Sequence, residues 1–200
     1  MTAAPPRTRM AGPERRQAIL AAAREQFALH GFHGAGTAAI ARAAGCSEAV
    51  LYRHFPSKKA LLAAVLEQEG WSGPPDASAH SLLPSSAVSL PDLLTARLAD
   101  PDTRITTRVI LLAISLSDDP EIGPTVVRAF ATVRARIRAV IEAAQADGRL
   151  RSDVDPELLT WMWHGLLLVA ALRQIISDDG SAGEAVEAAR VLEELLRPGR

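Results

Sequence analysis

Residues 37–59 read TAAIARAAGCSEAVLYRHFPSKK, and this stretch leaves the backbone few choices. Residues 38–44 are good helix formers, and Thr37 stands where an N-cap hydroxyl would satisfy an orphan backbone amide. Gly45 supplies the left-handed residue on which a helix ends. Ser47 is placed to cap a second short helix over 48–54, and Pro56 followed by Ser57 closes that helix and caps the next. Two helices joined this closely make a helix-turn-helix unit.

The second of these helices has a geometry that can be read directly. Each residue turns about 100° around the axis, so Leu51 and Phe55, four apart, share one apolar face that should be buried. Ala49 and Arg53 each lie two residues from Leu51, about 200° away, and therefore point outward, where a DNA major groove would lie. Tyr52 and His54 flank that outward face.

The stretch GTAAIARAAGCSEAVLYRHFPSKKALL resembles the DNA-binding signature of the TetR family of transcriptional regulators. Its markers are Thr37, the Ile40-Ala41 pair, the Ala44-Gly45 turn, Ser47, Leu51-Tyr52, His54-Phe55 and Ser57-Lys58. With 15–32 as the preceding helix, the resemblance covers about the first third of the chain. It implies phosphate contacts by Thr37, Tyr52, His54 and Lys58 and base reading by Glu48, Ala49, Val50 and Arg53, with the cap Ser47 in the same DNA-binding set. The chain departs from the usual family pattern at Ala38, Ala39 and Cys46.

Charge follows the same division. The whole chain has a formal net charge of −1, yet residues 1–60 hold 9 Lys+Arg against 3 Asp+Glu, and the other 140 hold 13 against 20. A basic segment that coincides with a helix-turn-helix, joined to an acidic remainder, is the electrostatic footprint of a nucleic-acid-binding head on a body that does not touch phosphate. A single cysteine excludes an intrachain disulfide and suits a reducing compartment. The first 12 residues lack the apolar region of a signal peptide, and the longest apolar runs, 60–66 and 166–172, are far shorter than the roughly 20 residues a membrane span needs. These readings predict a cytoplasmic protein.

The fold class expected is all-α, because no period-two strand pattern competes. Residues 1–12 read as a mobile arm, in which Arg7 and Arg9 are a solvated tail or a DNA-reaching arm. Residues 13–57 form the expected DNA-binding domain, opened by Pro13 at a first helical position, with Ile19, Ala23 and Phe27 packing on Ile40, Leu51 and Phe55. Residues 58–200 form an effector-binding and dimerisation domain. Its first helix runs from Lys58 to about Gly70, presents free amides and a cation to phosphate, and is the natural lever between head and body. The Pro- and Ser-rich segment 72–91 reads as a long, partly disordered loop, with Leu82, Leu83 and Val88 available for a helical turn. Helices follow over 92–99, 103–116, 120–147 with a break at Gly123-Pro124, 156–177 and 183–197. The pairs Asp100-Pro101, Asp119-Pro120 and Asp155-Pro156 mark starts, and Gly148 and Gly180 mark stops.

The segment 153–177 is apolar nearly all round, so it must be covered on every side, one of them by a second subunit. Ala185, Ala189, Leu192 and Leu196 offer a matching stripe on the last helix, which gives a homodimer through the last two helices, as the family resemblance also implies. The apolar excess of the body suits a small-molecule pocket, with Arg104, Arg108, Phe130, Trp161 and His164 as candidate lining residues. His30, His33 and Cys46 do not have zinc-ligand spacing, so no metal is expected, nor any cofactor. No nucleophile motif or phosphate loop is present, which argues against an enzyme. The reading is a ligand-responsive regulator, a repressor released from a palindromic operator by an apolar molecule; the alternative is an all-α carrier or enzyme with a non-functional head.

Overall fold

A computed structural model describes residues 11–68, 89–177 and 182–198. Every regular element among them is helical. Residues 1–10 of the expected arm over 1–12, residues 72–88 of the expected loop over 72–91, and the stops at Gly70 and Gly180 lie outside the described residues, while Gly12 already belongs to a helix, as do Leu90 and Pro91. The chain divides into two compact units, Met1–Val65 and Leu66–Arg200.

The first unit holds α1 (Gly12–Gly34), α2 (Thr37–Ala43), α3 (Glu48–His54) and all but the last residue of α4 (Lys58–Leu66). Leu61, Leu62 and Val65 of α4 are buried and fall within this unit, which ends at Val65. Pro13 lies in the first turn of α1, and the Ala11 amide donates to Glu14 Oε2 at 3.2 Å. Ile19, Ala23, Phe27, Ile40, Leu51 and Phe55 are all buried, as their spacing predicts. Gly31 (φ 67) interrupts α1, and the residue beyond it, Phe32, stacks on Phe27 at 6.1 Å between ring centroids.

The second unit holds α5 (Leu90–Ala99), α6 (Thr103–Ser115), α7 (Gly123–Ala146), α8 (Pro156–Ile176) and α9 (Ala182–Leu195). Leu94, Ile141, Leu159, Trp163 and Ala189 lie in one core cluster drawn from α5, α7, α8 and α9. Gln174 of α8 donates from Nε2 to the Leu98 carbonyl at 2.8 Å, tying α8 to the end of α5.

Several boundaries differ from expectation for identifiable reasons. α2 begins at Thr37 itself, with Gly36 as its N-cap and no side-chain cap, so the Thr37 hydroxyl is not spent on the helix start. α5 begins at Leu90, two residues early, because Ser89 accepts from the Asp92 amide at 3.2 Å and so caps it. Only Asp155-Pro156 starts a helix, with Asp155 Oδ1 accepting from the Glu157 amide at 2.8 Å. Asp100 and Asp119 accept in the same way from amides two residues on, at 2.9 and 3.0 Å, but turns over 101–102 and 120–122 follow them before α6 and α7 begin. The expected break at Gly123-Pro124 is the start of α7. A Cβ at Gly123 would stand 2.2 Å from the Ser117 carbonyl oxygen, so the turn before α7 closes only over glycine.

Judged by its length and composition rather than by its longest unbroken apolar run, α8, 21 residues long, is apolar enough to cross a membrane, with mean hydropathy 1.3 over its most apolar 18-residue stretch. Leu159, Trp163 and Ala170 from it are buried in the core of the second unit.

Candidate nucleic-acid interface

The turn between α2 and α3 is built by three local devices. Gly45 adopts φ 65, which ordinary residues rarely do. Ser47 caps α3, its Oγ accepting from the Val50 amide at 3.4 Å. Arg15 of α1 donates from Nη1 to the carbonyls of Ala44 and Gly45 at 2.9 and 3.0 Å, satisfying acceptors that the end of α2 leaves open.

On this frame α3 buries Leu51 and exposes Glu48, Ala49, Tyr52 and Arg53, as the 100° repeat requires, while Val50 and His54 are half-buried. The His54 and Phe55 ring centroids lie 6.5 Å apart, and the Arg16 guanidinium stands over the Phe55 ring at 5.0 Å from its centroid. Glu48 and Tyr52, one turn apart, both reach Thr37 on α2. The Tyr52 hydroxyl donates to Thr37 Oγ1 at 3.3 Å, and the Thr37 hydroxyl donates to Glu48 Oε1. Sequence reasoning assigned these three residues separately; the i, i+4 spacing of Glu48 and Tyr52 was the signal that they meet one partner. Ser57 accepts from the Ala60 amide at 2.9 Å and so opens α4 beside Lys58. Lys58 Nζ donates to the Ala35 carbonyl at 3.0 Å and stands 4.7 Å from the centroid of Phe32. Of the residues expected to meet DNA, Thr37, Ser47, Glu48, Tyr52 and Lys58 are thus held by hydrogen bonds within the head.

Residues 19–65 match the family model described as bacterial regulatory proteins, tetR family. Residues 116–190 match the model described as tetracyclin repressor-like, C-terminal domain. The chain belongs to the TetR family. Among TetR relatives, the HTH-type transcriptional regulator RutR of Escherichia coli K12 is 41% identical over 76 residues, 37% of this chain and 36% of RutR. The HTH-type transcriptional activator FasR of Mycolicibacterium smegmatis is 48% identical over 60 residues, 30% of this chain and 27% of FasR. The matches to these curated relatives thus span about a third of their length. Among solved structures, Salmonella enterica GusR is 27% identical, with a TM-score of 0.69 over 93% of this chain and 95% of that one.

In the TetR C-terminal region the candidate effector residues separate. His164 is buried and its ring lies 5.8 Å from that of the half-buried Phe130. Burial, and secondarily the charge of Arg134, holds the His164 pKa below the usual imidazole value. Trp161 is 59% exposed, and its ring carries the Arg134 guanidinium at 4.7 Å from the centroid. Arg134 also pairs with Glu157. Arg104 is exposed and Arg108 half-buried on α6. Arg134 and Glu157 were not anticipated, although each lies four residues from an anticipated one, Phe130 and Trp161.

The stripe expected to face a second subunit is turned inward instead. Ala185, Ala189 and Leu196 are buried in the chain's own core, and Leu192 packs against it. The exposed apolar residues of α9 are Val191 and Leu195, which with Ala188 line a shallow groove, and those of α8 are Leu158, Trp161, Met162, Val169 and Ile176. About 100° of rotation on α9, little more than a quarter-turn, separates the two sets; the apolar spacing was legible but not which of two apolar stripes the core would take.

Proposed function

We propose that this protein is a ligand-responsive, DNA-binding transcriptional regulator that acts as a homodimer in the cytoplasm, repressing from a near-palindromic operator until a small, mostly apolar molecule releases it. The observation that carries the proposal is the outward face of α3, where Ala49 and Arg53 stand exposed opposite buried Leu51 on a head rich in basic residues. An Arg guanidinium in this position pairs bidentately with guanine O6 and N7, while Tyr52, His54 and Lys58 serve phosphates. The exposed apolar residues of α8 and α9 give a second copy a surface to cover. Two heads related by a two-fold axis then meet half-sites about 34 Å or more apart.

The body supports the effector reading through the Phe130–His164 pair, one buried polar ring against an aromatic one. Release from DNA by a factor of a hundred requires the effector to favour the DNA-incompetent state by about 2.7 kcal/mol, an ordinary allosteric coupling. α4 is the segment placed to transmit it, since it begins in the head at Lys58 and its last residue, Leu66, belongs to the second unit.

The test is binding to short duplexes of random and selected sequence across a salt series. Retention that falls steeply with salt, together with loss of about 1–3 kcal/mol on the selected site alone in Arg53→Ala, is the expected result. Equal losses on selected and random duplexes would remove Arg53 from base reading. No salt-dependent retention at all would favour a carrier or enzyme.

A further inference from the structure

We infer that Glu48 is a specificity-determining residue of the head, an internal stand-in for DNA phosphate that yields only where the major groove offers the amino group of cytosine. The inference rests on the DNA-binding reading above and deepens it.

Glu48 is the sole acidic residue between Glu25 and Glu67, within a segment otherwise basic or neutral, and it is exposed at the first position of α3. A carboxylate there repels every phosphate that approaches, so it lowers affinity for all sequences alike. Its hydrogen bonds show what it does in the absence of DNA. A carboxylate only accepts, so the Thr37 hydroxyl spends its proton on Glu48 Oε1, and the Tyr52 hydroxyl spends its own on Thr37 Oγ1. Both protons of the chain run toward Glu48. Thr37 and Tyr52 therefore have no donor left for phosphate until Glu48 lets go.

When a phosphate takes the Thr37 hydroxyl, Glu48 loses its donor and needs another. In the major groove guanine shows two acceptors and thymine one, while adenine sets the N7 acceptor beside its N6 donor. Cytosine alone presents a donor, N4–H, with no adjacent acceptor facing the carboxylate. Release of Thr37 and Tyr52 to the backbone is thus coupled to cytosine at one position of each half-site. Elsewhere Glu48 keeps the two hydroxyls and repels the backbone.

The experiment is selection from a duplex library with a randomised core, by the full-length protein and by Glu48→Ala and Glu48→Gln, together with affinity for the unselected library. Glu48 is exposed, so both variants should keep the parent's helical content and melting temperature. The wild type should select cytosine at one symmetric position; Glu48→Ala should lose that preference alone, and Glu48→Gln should shift it toward adenine, which an amide pairs at N6 and N7. Affinity of Glu48→Ala for the unselected library should rise by more than about threefold, the factor for relieving one carboxylate–phosphate repulsion at about 6 Å in water alone, since the freed hydroxyls add to it. In a Thr37→Val background the rise should be smaller, because no hydroxyl remains to be released. Unchanged selection by Glu48→Ala, or unchanged or lower affinity for the unselected library, would overturn the assignment. Failure of the wild type to bind the library at all would instead overturn the DNA-binding reading, and this assignment with it.

Discussion

The Lys58 ammonium stands 4.7 Å from the centroid of the Phe32 ring while donating to the Ala35 carbonyl at 3.0 Å. Lys58 is thus a fastener between α4 and the end of α1, beside the phosphate contact proposed for it. Lys58→Ala should lower the stability of the head by about 0.5–1 kcal/mol for the ring contact and about 1 kcal/mol for the hydrogen bond. It should also weaken binding to all duplexes and reduce the salt slope by about 0.9 for the phosphate lost. Chemical denaturation and binding at two salt concentrations separate the two effects.

Gly123 should tolerate no side chain. A Cβ there meets the Ser117 backbone oxygen at 2.2 Å, a contact that only movement of the turn can relieve. Gly123→Ala should cost about 1–3 kcal/mol, the usual range for forced overpacking, against the small gain a helix expects from that exchange. An unchanged or raised denaturation midpoint would show that the turn before α7 is soft.

The two stripes of α9 predict opposite phenotypes. Leu195, 70% exposed, and Val191, 50% exposed, are free for a second copy, whereas Ala189 is fully buried in the chain's own core. Leu195→Glu should give a folded monomer in sedimentation with the parent's circular dichroism. Ala189→Glu should lose helical content, because it buries an unpaired charge. A dimer that survives both Leu195→Glu and Val191→Glu would place the interface elsewhere.

His164 links stability to acidity. Burial, and then Arg134, lowers its pKa in the folded chain below the usual 6.5. The neutral ring is therefore favoured by folding, and the unfolded chain binds its proton first. This contribution is complete above about pH 6.5 and is lost as pH falls from there through the lowered folded value. His164→Phe, which keeps a ring beside Phe130, should flatten the decline in stability between about pH 7 and pH 5. Parallel curves for the two proteins would dismiss His164 as the linked group.

The head was legible in the sequence because its local signals agree. Gly45, Ser47 and Ser57 are punctuation with a single reading, and Leu51 with Phe55 fixes which side of α3 is buried. Thr37 was misread as a cap because the same hydroxyl serves equally well across space, and only the approach of α3 decides between Glu48 and a backbone amide. The body was less legible for a related reason. Asp-Pro pairs serve helix starts and turns alike, and both stripes of α9 are apolar, so the choice belongs to packing with α5 and α8 rather than to local propensity. Trp161 shows the same limit, since its size argues for burial while the guanidinium of Arg134 gives its ring a partner at the surface.

Arg15 holds the turn carbonyls from 29 and 30 residues upstream. The two short helices are therefore not a self-sufficient cassette. A recognition helix exchanged between related regulators carries its own bases to read, but the angle at which it is presented depends on a guanidinium contributed by α1. Chimeras joined between α1 and α2 should inherit one parent's reading residues and the other's presentation angle, whereas those joined upstream of Arg15 should inherit both from a single parent. The natural unit of exchange for operator recognition in this chain begins before Arg15 and not at Thr37.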